Sequence, residues 1–289
     1  MADYRIRLRG GGVEATIAPE GELRLLAEGL EGFGRLDGAV AMAEYALYGG
    51  GYPTTRRLGS RRLRLHAELA PRFGTPAYRD LHARLMTLLD PTVEVELYVD
   101  MGGGARILDV IPAGDGSVEV AHMGEPVAAQ LSFLAAEPYF RAAAERHVSF
   151  WQAAPMLAFP LNLMAGAGTV SGYYGTTNAA RLQNPGERVC GYRLTLTAQN
   201  GTVQNPSVTL PGGTLSLTCA IGTDDEVVID THPRQKTILV NGAPSLCFTP
   251  ASVFAPIPRG GSTMTLSAAS GIAYLRAELS FTPLYYGCM

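Results

Sequence analysis

A period of two runs through this chain and restricts its fold more than any other feature. In "YRIRLRG" apolar Tyr4, Ile6 and Leu8 alternate with Arg5, Arg7 and Arg9. In "RRLRLHAEL" Leu63, Leu65, Ala67 and Leu69 alternate with Arg62, Arg64, His66 and Glu68. In "TVEVELYVD" Val93, Val95, Leu97 and Val99 alternate with Glu94, Glu96 and Tyr98. Successive side chains of an extended strand point to opposite faces, so each stretch has one apolar and one polar face. The pattern predicts half-buried strands of a mostly antiparallel sheet.

Between these strands "GELRLLAEGL" reads as a less regular strand, and "GGGY", Gly49 to Tyr52, as a flexible turn. One helix is expected, in "TPAYRDLHARLMTLLDP". Thr75 can cap it, Pro76 occupies the first turn, and Leu81, Leu85, Leu88 and Leu89 fall at helical spacing. Asp90-Pro91 ends it, because the residue before proline disfavours helical backbone. Strands then resume, with a hairpin through "MGGG" and a long strand running into "FLAAEPYF". The acid–proline–aromatic step of that last segment closes the first half, which reads as an α+β domain spanning residues 1–150.

In the second half, from residue 151 to 289, the texture differs. Residues 150–187 are rich in small residues, proline and glycine, and read as a linker with early, irregular strands. From Arg188 short strands arrive at the spacing of a β-sandwich: "VCGYRLTLTAQ", "SVTLPGGTLSLTCAI", "EVVIDTHP", "KTILVNG", "TMTLSAA" and "AYLRAELSFTPLYY". At 289 residues the chain is long enough for two such domains. The class is therefore mainly β, with a helix in the first part only.

Composition narrows the function. Apolar residues make up 47% and charged ones 17%, enough for ordinary cores and too little charge for a disordered or nucleic-acid-coating protein. A formal net charge of −3 points to no general affinity for nucleic acid or anionic membrane. The start lacks the apolar core of a signal peptide, and no run reaches the length of a membrane helix, so cytosolic synthesis without disulfides is expected. The four cysteines, Cys190, Cys219, Cys247 and Cys288, form no Cys-x-x-Cys pair, and a zinc site is not expected.

No catalytic constellation assembles either. The five histidines (His66, His82, His122, His147, His232) are scattered, and the Gly102–Gly104 triplet lacks the lysine of a phosphate loop. "GAGTVSG" has Ser171 where a dinucleotide loop needs its third glycine. Asp224, Asp225, Glu226 and Asp230 cluster without the glycine and spacing of a calcium loop, and read as a polar turn. No enzyme, cofactor or metal is expected. Two groups stand out as candidate contact residues. Arg56, Arg57, Arg61, Arg62 and Arg64 crowd the start of one strand and suit a subunit interface or a solvated face. Trp151, Tyr173 and Tyr174 sit among small residues, where aromatic faces could stack on a sugar.

Four of these segments, in this order, resemble the distal tail (Dit) protein family of long-tailed siphophages and related phage tail-like particles. They are the arginine-led strand at 61–69, the helix "YRDLHARLMTLLDP", the step "FLAAEPYF", and the hairpin "EVVIDTHPRQKTILVNG". The resemblance implies a structural protein of the virion tail tip. Its N-terminal domain would close into a homo-hexameric ring that joins the tail tube protein to a tail-tip hub protein. Its C-terminal domain would be a galectin-like β-sandwich that anchors receptor-binding proteins. A carbohydrate-binding module contacting host cell-surface glycan is the alternative.

Overall fold

The computed structural model describes residues 4–119, 126–155, 172–176 and 178–288. It divides into two units: Met1–Ala143 with Leu284–Met289, and Ala144–Pro283. The second unit is thus inserted within the first.

In the first unit the alternating segments form the strands they predict. The chain runs through β1 (Arg5–Gly10), β2 (Val13–Ile17) and β3 (Leu23–Glu31), then β4 (Gly38–Glu44), β5 (Gly51–Leu58) and β6 (Arg61–Leu69). Helix α1 (Pro76–Leu88) follows, then β7 (Val95–Asp100), β8 (Arg106–Pro112), β9 (Ser117–Glu119), β10 (Val127–Ala135) and β11 (Phe140–Ala142). Thr75 caps α1 as its sequence requires, its hydroxyl accepting a hydrogen bond from the Tyr78 N–H at 3.2 Å.

Ten strands of this unit share one sheet, and β10 pairs with β8 as well as with β6, through Phe133↔Pro112 and Leu134↔Ile111. That second pairing joins β8, β7, β1, β2, β3, β6 and β10 into a closed circuit. Closure satisfies backbone groups that an open sheet would leave exposed along its edges. One link is thin: β2 and β3 meet in parallel only at Ile17↔Leu23. The inward set includes Ile6, Leu8, Leu63, Leu65, Leu97, Leu131 and Phe133, and Leu81, Leu85 and Leu88 of α1 join the same cluster. Arg84 ties the helix down from its outer side, donating to Asp80, to Glu22 and to the Glu14 carbonyl.

The second unit opens with β12 (Arg146–Ser149), β13 (Trp151–Pro155), β14 (Gly172–Thr176) and β15 (Ala179–Asn184). It continues with β16 (Arg193–Ala198), β17 (Val203–Gln204), β18 (Ser207–Leu210), β19 (Gly213–Ser216), β20 (Ala220–Ile221) and β21 (Glu226–Asp230). After these come β22 (Thr237–Val240), β23 (Ala243–Pro244), β24 (Gly260–Ser267) and β25 (Leu275–Phe281). They form a six-stranded sheet, β12-β25-β16-β21-β22-β23, a four-stranded sheet, β15-β24-β18-β19, and two short ribbons. Leu194, Leu196, Leu279 and Phe281 of the larger sheet are buried, as are Leu182, Val208, Met264 and Leu266 of the smaller, while their neighbours in sequence are more exposed. Each sheet therefore has one apolar face, the condition for a two-sheet β structure. A last strand, β26 (Leu284–Tyr285), belongs to the first unit and pairs with β11.

Candidate assembly surface

β4 and β5 pair with each other in a two-stranded sheet of their own. The triplet Gly49–Gly51 turns the chain, and the Tyr45 N–H closes the turn on the Gly50 carbonyl at 3.0 Å. The register slips between Ala41 and Met42, opposite Pro53, which has no N–H for the ladder. Thr54 repairs the break by donating its hydroxyl to the Ala41 carbonyl at 3.2 Å. The result is an arm whose two faces both meet water.

Its side chains do not suit water. Val40 is 63% exposed, Met42 60%, Leu47 88% and Tyr48 79%, with the rings of Tyr45 and Tyr52 in tilted contact near the tip, centroids 5.6 Å apart. Two-stranded hairpins are marginal by themselves, and a contiguous apolar surface on a soluble protein marks a contact site. Arg56 and Arg57 belong to this arm, opposite Val40 and Ala39. Aromatics, methionine and arginine together make the composition of a protein–protein interface core.

The five arginines singled out in the sequence therefore separate. Arg56 and Arg57 lie exposed on the arm. Arg62 is exposed on β6, opposite Leu134. Arg64 is held by its own chain, 3.6 Å from Glu31 and 3.5 Å from Asp115. Arg61 is turned inward at 1% exposure, which corrects its place among surface contacts. Its parity along β6 foretells this, since 61 shares a face with Leu63 and Leu65.

Buried Arg61 holds the returning C-terminal segment. Its guanidinium donates to the Phe33 carbonyl at 3.2 Å and to the Tyr286 carbonyl, and lies 5.0 Å above the Phe140 ring. Arg106 donates to the Gly287 carbonyl and stacks over Tyr285 at 4.1 Å. Burial lowers the Arg61 pKa, opposed by nearby Cys288 and Asp37. Cys288 is itself buried, and burial pushes its thiol up to about 11 against the pull of the two arginines. Sequence reasoning missed this cluster, whose partners lie 225 residues apart in the case of Arg61 and Tyr286.

In the second unit the acidic group acts as turn chemistry. Asp225 accepts from the Gly222 N–H and from the Asn241 side-chain amide, each at 2.8 Å, and these bonds hold its carboxyl below the usual range. Asp230 pairs with His232 at 2.7 Å. Among the described residues no group of three or more His, Cys, Asp or Glu is placed to hold a metal. Trp151, Tyr173 and Tyr174 lie in the paired strands β13 and β14, where Ala153 faces Tyr174 and Ala154 faces Tyr173 in register. Their side chains lie outside the described residues, as do His122 and the "GAGTVS" loop.

No family model and no curated protein matches the sequence. Solved structures do match. The SPP1 Dit protein, described as a paradigm of the hub adsorption apparatus in phages infecting Gram-positive bacteria, aligns over 96% of this chain and 98% of its own. The TM-score is 0.62 at 14% identity. This chain has the Dit fold. The aligned part of this chain includes residues of both units. Two structures of the phage p2 baseplate in its activated conformation, with Sr and with Ca, each align over 99% of both chains at 12% identity, with TM-scores of 0.45 and 0.44.

Proposed function

We propose that this protein is a structural component of a phage tail tip, in which copies of the first unit join through the β4–β5 arm into a ring. The observation that carries the reading is the arm itself: an element with Leu47 and Tyr48 almost fully in water, on a chain with the Dit fold. Burying such side chains against a neighbouring copy recovers about 25 cal/mol per Å² of apolar surface. A closed ring lets every copy use the same heterologous contact without leaving a free end. The closed circuit of the main sheet favours the arm over sheet edges as the joining element.

A homo-hexamer is the ring we infer, seated between the tail tube protein and the tail-tip hub protein. The inserted second unit, read as galectin-like, would offer its surface to receptor-binding proteins. The protein's contribution is then geometric and not catalytic. The glycan-binding alternative rests on Trp151, Tyr173 and Tyr174, whose side chains are not described.

Light scattering coupled to sizing, with negative-stain micrographs, tests the reading. The wild-type chain should form rings. The double variant Leu47→Asp, Tyr48→Asp should run as a monomer with an unchanged far-UV spectrum, because both side chains are solvent-facing in one chain. A wild-type protein that stays monomeric at high concentration, or a variant that still makes rings, overturns it.

A further inference from the structure

The fold brings together two cysteines that stand 28 positions apart in the chain and that the ring reading does not use. Leu217 bridges Phe248 in antiparallel fashion, and the Thr218 N–H donates to the Cys247 carbonyl at 2.8 Å. The segments carrying Cys219 and Cys247 therefore run side by side, and the Cys247 thiol is near enough to raise the Cys219 pKa. Both are free and half-buried, whereas Cys190 and Cys288 are enclosed in the two units. Leu246, next to Cys247, is 86% exposed, so a small oxidant can approach this strand.

We propose that Cys219 and Cys247 are a redox site that closes to a disulfide once the protein meets an oxidising medium. The pairing meets the first demand of that bond, neighbouring backbones. A low-molecular-weight disulfide such as oxidised glutathione supplies the oxidant. One cysteine thiolate attacks a sulfur of the oxidant and expels one glutathione thiolate. The other cysteine thiolate then attacks the protein sulfur of this mixed disulfide and expels the second. Two cysteine thiols lose two protons and two electrons, and one oxidant S–S bond becomes two thiols.

The covalent loop would span β20 to β23, including the turn held by Asp225 and Asn241. Burial, the adjacent Cys247 thiol and Asp225 push the Cys219 thiol up to about 12. Attack by Cys219 is therefore sluggish near neutral pH and quickens as pH rises, since the thiolate is the attacking species. A protein assembled in a reducing cytosol and used outside the cell would carry this staple only after release. That clause rests on the tail-tip reading; the chemistry does not.

The test treats the purified full chain with oxidised glutathione at about pH 8.5 and maps peptides without reduction. One linked pair, 219 with 247, is expected, with Cys190 and Cys288 unmodified in the native protein. The thermal midpoint should rise by roughly 5–10 °C and return on reduction. Cys219→Ser and Cys247→Ser should each remove the link and leave a glutathione adduct on the remaining thiol. Separate adducts on both cysteines of the wild type, or no reaction at either, overturns the proposal whatever the oligomeric state proves to be.

Discussion

Replacing Arg61 by methionine tests how the returning C-terminal segment is held. Methionine keeps most of the side-chain volume in a position that is 1% exposed, so cavity formation adds little. What disappears is the donor to the carbonyls of Phe33 and Tyr286. Each buried carbonyl left without a partner costs about 1–3 kcal/mol, or ~2–6 kcal/mol for the two. Against this, the folded state no longer buries a guanidinium, and that relief offsets part of the loss. A net destabilisation of about 3 kcal/mol is expected, which for a unit of this size lowers Tm by roughly 6–12 °C. Differential scanning calorimetry reads the midpoint, and amide exchange at Tyr285–Cys288 reads the segment directly. Arg61→Lys, which keeps the charge and N–H donors but on a single nitrogen, should fall between. A loss below about 0.5 kcal/mol with unchanged exchange at 285–288 would show that the guanidinium is a passenger and that the argument is wrong.

Two further outcomes are expected. Gly32 has φ +83°, and a Cβ there would meet the Arg62 carbonyl oxygen at 2.1 Å. Gly32→Ala should lower the unfolding free energy of the first unit by about 1–3 kcal/mol in urea titration, whereas Gly34→Ala, with open space around it, should be neutral. Asp225 is ionised more readily in the folded chain than in an unfolded one, where its pKa is about 3.9. Its contribution is present above that value and is lost as pH falls through the lowered native value. The stability of the second unit should therefore slope downward in acid, and Asn241→Ala should flatten the slope by removing the largest cause. A carboxyl NMR titration gives the same sign independently.

Much of the frame was legible because alternation is a local signal. Leu63, Leu65, Ala67 and Leu69 are all buried on β6, as their spacing requires. The Thr75 cap, the leucine stripe and the stop before Asp90-Pro91 set α1 to within a residue or two. The strand of "GELRLLAEGL" formed, with a register shift between Leu25 and Leu30 that matches its irregular pattern. The arm was not legible. "GAVAMAE" has no charged face to mark a period, since β4 is not half-buried but exposed on both sides. Its turn glycines were visible, but neither strand they connect was. The cluster around Arg61 depends on pairs far apart in sequence, which no window of residues reveals. The arginines were grouped by nearness along the chain, when the parity of the strand already separates Arg61 from Arg62 and Arg64.

The detour of the backbone, out to 140 residues of another unit and back for β26, has a consequence on the ribosome. The nascent first unit lacks the strand that pairs with β11, the Tyr286 carbonyl that joins Phe33 in satisfying Arg61, and the Gly287 carbonyl that satisfies Arg106 until codon 287 has been read. Truncated translation products would leave Arg106 and one side of Arg61 without these carbonyls, so the first unit reaches its full set of bonds only in chains elongated past that point.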